Sequence, residues 1–110
     1  MQMETSAETG KTAAIIAYLT IIGTIIAYFM NNETKNSFAS FHIRQALGIH
    51  ITFYILGAFV SIFDSWLISF PFYVFIIVLF GYGLVTAIQG ERKEAPILGH
   101  QFQRWFSTIS

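Results

Sequence analysis

The sequence predicts an all-α membrane protein: three transmembrane helices in an up-down-up bundle, followed by a C-terminal amphipathic helix at the cytoplasmic interface. Two observations predict this fold class. Of the 110 residues, 55% are hydrophobic and 11% are charged, whereas soluble domains carry about 25% charged residues. In addition, three runs carry no formal charge, between Lys11 and Glu33, Arg44 and Asp64, and Asp64 and Glu91. Each has roughly the 20 residues that a helix needs to cross a bilayer.

Composition also excludes several classes of function. The formal net charge is zero, and the largest basic cluster is the pair Arg92 and Lys93, so the chain lacks the basic surface that nucleic-acid binding requires. The chain contains no cysteine, which excludes disulfides, thiolate catalysis and cysteine-based metal sites.

The first predicted element is a flexible polar tail over residues 1–10, and residues 11–110 form a single membrane domain. The first span covers residues 12–30, a length that matches the hydrocarbon core. Gly23 and Ala27 lie four residues apart in this span. Small residues at this spacing let another helix approach closely.

A polar loop over residues 31–37 precedes the second span, which we place at residues 45–63. Asn36 or Ser37 can cap the helix, because their side chains accept hydrogen bonds from the free amides of its first turn. The helix is expected to begin near Phe38, before the charge-free run does.

The third span covers residues 67–88, and short connections make the spans antiparallel neighbours. A polar break then leads to an amphipathic helix over residues 97–109, which is too short to span and is expected to lie in the interface plane. Its apolar residues recur at helical spacing on one face: Leu98, Phe102, Trp105, Phe106 and Ile109.

The basic residues predict the orientation. With three spans, the first loop and the C-terminus share one side, and five of the six basic residues fall there, leaving only Lys11 on the other. The positive-inside rule therefore predicts a multi-pass protein of the bacterial inner membrane, with the N-terminus outside and the C-terminus in the cytoplasm.

The stretch from Phe41 to Gly48 holds most of the candidate site residues. His42, Arg44 and Gln45 lie near the membrane entrance, where polar groups are costly unless they are satisfied. Arg44 can reach Glu91 at the cytoplasmic rim, or its guanidinium can extend to lipid phosphates.

His50 lies eight residues after His42 and on nearly the same helical face. Two histidines could relay protons or, with His100, hold a metal; the alternative is a buried neutral histidine bonded to a neighbouring helix. The sequence offers no nucleophile with a base, no phosphate loop and no pair of membrane carboxylates. We therefore predict no catalytic centre, no metal site, no cofactor and no enzymatic activity.

Two sequence elements carry a resemblance to a known family. Phe41-His42-Ile43-Arg44-Gln45-Ala46-Leu47, followed after two spans by Ala87-Ile88-Gln89-Gly90-Glu91, resembles the bacterial import-component family. That family is similar to the small channel-type subunit of the chloroplast inner-envelope translocon. The resemblance implies a subunit of an inner-membrane complex that is accessory to protein translocation.

The expected function is therefore that of a non-enzymatic subunit of an inner-membrane complex. Its partners would be the lipid bilayer and other integral membrane proteins, with Phe102 and Trp105 as candidate contacts. The alternative is a small homo-oligomeric channel or transporter. Polar residues that face a common axis would favour the channel, and apolar or aromatic surfaces would favour the subunit.

Overall fold

The computed structural model describes residues 2–32 and 35–109, with side chains from Gly10 onward. In this part of the chain all the regular structure is helical. Two of the helices, α3 and α4, are long and apolar enough to cross a membrane, and they correspond to the predicted second and third spans. The helices are α1 (Gln2–Leu19), α2 (Ile21–Met30), α3 (Ser37–Val60), α4 (Trp66–Ile88) and α5 (Gly99–Trp105).

The first predicted span is interrupted in the structure. Thr20 has extended backbone angles, with φ −156° and ψ 172°, so α1 ends at Leu19 and a new helix begins at Ile21. The Thr20 hydroxyl accepts a hydrogen bond of 3.0 Å from the amide of Gly23, and threonine favours this capping role over a helix interior. The expectation of one continuous span over residues 12–30 is therefore not met.

Helices α1 and α2 instead form an antiparallel hairpin. Gly10, in α1, lies against Asn36 and Ala39. Asn31, which follows α2, bonds to the backbone of Asn36 and to the Ser40 hydroxyl. A straight helix would hold Gly10 and Asn31 about 30 Å apart. Because both meet the start of α3, α2 must run back along α1.

Each arm of the hairpin is about half as long as a membrane span. From Gly10 to Leu19 an α-helix rises about 14 Å, against a hydrocarbon core about 30 Å thick. Near its tip, the carbonyl of Ala17 accepts a bond of 3.2 Å from His50, which lies near the middle of α3. Helix α1 begins at Gln2, inside the segment expected to be a polar tail, and the side chains before Gly10 lie outside the described residues.

The molecule is consequently thick at one end and thin at the other. We call residues 10–32, 35–50 and 77–109 the head, and residues 51–76 the stem. The buried residues of α3 all lie between Phe38 and His50, inside the head. In the stem α3 and α4 pair through the stacked rings of Phe53 and Phe72, whose centroids are 6.1 Å apart. Residues 98–106 reach its first turns, where they line a groove with Ile55 and Leu56.

Small residues allow the helices of the head to pack closely. The side chains of Ala14 and Ala17 on α1, and of Ala39 and Ala46 on α3, are completely buried. On α4, a Cβ at Gly83 would overlap the Tyr18 ring. The small residues of the first apolar run thus serve packing within this chain.

The C-terminal segment returns along α3. The expected helix over residues 97–109 is shorter in the structure, where α5 covers Gly99–Trp105. Phe102 is 2% exposed and lies on Gly48, where a Cβ would overlap its ring. Trp105 is 65% exposed. One residue of the predicted apolar stripe, Phe102, is therefore buried within the chain, and another, Trp105, is exposed on its surface.

The hairpin makes a topological prediction that differs from that of three spans. In membranes, single cysteines introduced at the exposed positions Thr12 and Ser107 should react with an impermeant maleimide from the same face, and a cysteine at Asp64 from the opposite face. A continuous first span would place Thr12 and Asp64 together. Joint labelling of Thr12→Cys and Asp64→Cys from one face would contradict the hairpin.

Candidate functional site

A buried polar cluster in the head joins α1, α3 and the segment after α4. The Tyr18 hydroxyl lies 2.6 Å from Nδ1 of His42 and 2.9 Å from Nε2 of Gln45. Nε2 of His42 lies 2.7 Å from the carbonyl oxygen of Glu91. His42 and Gln45 are completely buried, and Tyr18 is 4% exposed.

These contacts define the direction of each hydrogen bond. A backbone carbonyl can only accept, so Nε2 of His42 carries the hydrogen that binds Glu91. Gln45 Nε2 can only donate, so the Tyr18 oxygen accepts from it and the Tyr18 hydrogen points to Nδ1 of His42. A neutral imidazole satisfies all of these bonds, and each member of the cluster has a partner on another segment.

The end of α4 presents the backbone that this cluster binds. Gly90 adopts φ 76°, its amide donates to Ala87 at 3.1 Å, and the amide of Glu91 donates to Thr86 at 2.8 Å. This is the Schellman arrangement, in which a residue with positive φ reverses the chain after a helix. It brings the Glu91 carbonyl to His42.

Gln45 holds the next part of the same segment. Its Oε1 accepts a bond of 2.6 Å from the amide of Ala95, and its Nε2 lies 3.4 Å from the carbonyl of Lys93. The side chains of His42 and Gln45 therefore bind the backbone of residues 91–95. The polar residues near the membrane entrance thus fix the connection between α4 and α5.

A second set of polar contacts satisfies the hairpin tip. The last carbonyls of a helix have no partner within it, and in hydrocarbon such groups must be satisfied by protein. The Ala17 carbonyl accepts from the Thr24 hydroxyl at 2.7 Å and from Nε2 of His50 at 3.2 Å. His50 is therefore bonded to a neighbouring helix, as one of the two sequence interpretations has it.

Arg44 does not pair with Glu91. Its Nε donates to the Ile109 carbonyl at 2.6 Å, and its Nη2 lies 3.5 Å from the carbonyl of Ser107. The Glu91 carboxylate instead lies 3.6 Å from the Lys93 ammonium. The physical reason is that the turn after α4 directs the carbonyl of Glu91 inward, while Arg44 faces the returning C-terminal segment.

The structure also places the remaining candidates and adds three residues. His100 lies 3.6 Å from the Glu94 carboxylate at the surface, and the described residues contain no group of three possible metal ligands.

Sequence reasoning missed Tyr18, Thr24 and Asn31, all buried and hydrogen-bonded. Tyr18 offered a signal, because a tyrosine inside an apolar run needs a partner for its hydroxyl when it is buried. In the described part of the chain, every buried side-chain nitrogen and oxygen has a partner.

Comparison with known proteins gives one match. The model of the MamF/MmsF family, described as the magnetosome magnetite crystal formation protein family, matches residues 8–102. Searches of the curated proteins and of the solved structures give no match.

This match overturns the resemblance to the import-component family, and that prediction is wrong. The two elements that carried it have structural explanations here. His42 and Gln45 bind backbone of the same chain, and Gly90 terminates a helix. Such elements are explained by the way helices pack and end, and they do not by themselves indicate a role in protein translocation.

Removing one hydroxyl tests the polar cluster. Tyr18→Phe leaves Nδ1 of His42 without its donor, in a site closed to water, and should lower the free energy of unfolding by about 1–2 kcal/mol. Tyr73→Phe is the matched control, because Tyr73 is 53% exposed and should change little. Thermal unfolding in detergent micelles measures both. Equal effects would contradict the cluster's role.

Two glycines provide a second matched pair. The methyl group added in Gly48→Ala would overlap the Phe102 ring, whereas a methyl group added at Gly81 would meet open space. Gly48→Ala should therefore release the C-terminal segment to protease several times faster, and Gly81→Ala should not. Limited proteolysis followed by mass spectrometry measures the cleavage after residue 95. Unchanged cleavage in Gly48→Ala would contradict the docking of Phe102.

Proposed function

The chain belongs to the MamF/MmsF family of magnetosome magnetite crystal formation proteins, and we propose that it acts in magnetite crystal formation as a non-enzymatic subunit of a membrane complex. One observation carries this proposal: the family match over residues 8–102 contains the hairpin, both long helices and the complete polar cluster. The features that define the head are therefore within the segment that matches the family.

The hydrogen bonding of the buried residues supports a structural role. The polar atoms of Tyr18, His42 and Gln45 bind one another and the backbone of residues 91–95. His50 binds the hairpin tip in the same way. Groups that are engaged in holding helices together are not poised to bind a substrate or transfer a proton. This favours a protein whose contribution is its shape and its contacts.

The distribution of polar residues favours a subunit over the alternative of a homo-oligomeric channel. The buried polar residues of α3 all lie inside the head of a single copy, and Gln45 and His42 are completely buried there. The exposed surface of the stem is apolar and aromatic, with Tyr54, Ile55 and Phe59 more than half exposed. Such a surface suits contact with lipid or with the helices of other membrane proteins.

We place the head on the cytoplasmic side of the magnetosome or inner membrane. With a re-entrant hairpin, all six basic residues of the chain belong to the head, whereas the loop at the end of the stem carries only Asp64. The positive-inside rule then favours a cytoplasmic head with both chain ends on that side. This replaces the earlier expectation of an external N-terminus, which depended on three spans.

Complementation tests this function. In a magnetite-forming bacterium whose own MamF/MmsF genes are deleted, this chain should shift the crystal length distribution, measured by electron microscopy, toward that of the parent strain. Tyr18→Phe combined with Gln45→Leu should reduce the shift, because the polar cluster loses the bond from Tyr18 to His42 and the bond from Ala95 to Gln45. Tyr73→Phe should preserve the shift.

The amount of each variant in the isolated magnetosome membranes is the control. Unchanged crystals in cells whose magnetosome membranes contain the wild-type chain would overturn the proposal. Equal crystal growth with the doubly substituted chain, at equal amounts, would contradict the role of the polar cluster.

A further inference from the structure

We propose that this protein is an asymmetric membrane wedge, which favours membrane that is convex on the side of the head. The inference uses the shape of the chain within the bilayer. It is independent of crystal formation, and only the assignment of the convex side to the cytoplasm depends on the orientation proposed above.

The number of helices differs between the head and the stem. At the level of the head, α1, α2, α3 and α4 lie side by side: Tyr18 of α1 contacts His42 of α3 and Gly83 of α4, and Ile43 of α3 lines a groove with Thr24 of α2. Beyond Leu56, the last residue of α3 that the C-terminal segment meets in a groove, α3 and α4 continue as a pair. The protein therefore occupies about twice as much area in one leaflet as in the other.

The hairpin lies in hydrocarbon. Leu19 and Ile22 beside its tip are 62% and 65% exposed, and Phe29 is 67% exposed. Helix α2 carries no charged residue. Such a surface is stable only in an apolar medium. Because the hairpin reaches about 14 Å from Gly10 to Leu19, it fits within one leaflet of about 15 Å.

In the opposite leaflet the described residues add little to α3 and α4, because the C-terminal segment reaches Ile55 and Leu56 through Trp105 and Phe106 and then returns to Arg44. No residue from 51 to 60 is buried. Phe59, Trp66 and Phe70 are 62%, 72% and 62% exposed, so lipid chains can approach the stem on most of its circumference.

Extra area in one leaflet strains the bilayer, and bending relieves that strain. Helices inserted into a single leaflet spread its lipids, and their binding is accordingly sensitive to curvature. Here the expanded leaflet is that of the head, so the energetically favoured membrane is convex on the head side. With a cytoplasmic head, this is the curvature of a compartment that bulges into the cytoplasm.

Membrane tubes pulled from giant vesicles test the wedge. The purified full chain is reconstituted into vesicles of phosphatidylcholine and phosphatidylglycerol, and a narrow tube is drawn outward, so that its outer leaflet is convex. The chain contains no cysteine, so single cysteines can report orientation. An impermeant dye added outside labels His100→Cys only in copies whose head faces outward, and Asp64→Cys only in copies whose head faces inward.

The two variants are matched controls for each other, because both positions are exposed and the dye is the same. Dye on His100→Cys should be enriched in the tube about twofold relative to the vesicle, and dye on Asp64→Cys should be depleted by a similar factor. Enrichment of neither, or of both equally, would overturn the wedge. Crystal complementation is unaffected by either outcome, so the two proposals fail separately.

Discussion

The hydrogen bonding of the hairpin tip is the constraint on which the rest of the structure depends. A helix that ends in hydrocarbon exposes carbonyl and amide groups that water cannot satisfy, and each costs free energy unless protein provides a partner. Here the Thr20 hydroxyl caps α2, while Thr24 and His50 bind the Ala17 carbonyl. Those bonds permit the chain to reverse after about half the length that a membrane span requires. Because it reverses, both ends of the hairpin meet the start of α3, and the packed head forms on one side only.

The polar cluster follows from that reversal. The hairpin brings the Tyr18 hydroxyl to the face of α3 that carries His42 and Gln45, and those two side chains in turn bind the backbone after α4. One connected set of bonds thus links the first helix, the central helix and the C-terminal segment. Removal of a single member leaves buried partners unsatisfied, which explains why the loss of one hydroxyl at Tyr18 should affect the whole head.

Much of this architecture was predictable from the sequence, and the exceptions have physical causes. The charge-free runs located α3 and α4, and Asn36 caps α3 as expected, accepting from the Ala39 amide at 3.0 Å. The hairpin was not predictable from composition, because residues 12–30 are as apolar as a continuous span and the break at Thr20 depends on His50, 30 residues farther along the chain. The division of the C-terminal stripe depends likewise on a distant residue, since Gly48 provides the space for Phe102 and Trp105 has no such site. His42 and Gln45 were identified because burying unsatisfied polar groups in a membrane costs free energy. Their backbone partners could not be predicted, because those partners are positioned by the turn at Gly90 that follows α4.

The distribution of charge is consistent with the same geometry. A continuous first span would separate Lys11 from Lys35 by the thickness of a bilayer, whereas the hairpin leaves both at the end of the molecule where Gly10 and Asn31 meet the start of α3. The loop between α3 and α4, with Asp64 as its one formal charge, lies at the opposite end of the molecule. The interruption at Thr20 therefore has two effects: it keeps Lys11 at the end of the molecule that carries the other basic residues, and it concentrates helix volume at that same end. Charge and shape are consequently coupled, because the basic residues belong to the end of the molecule where the helices are most numerous.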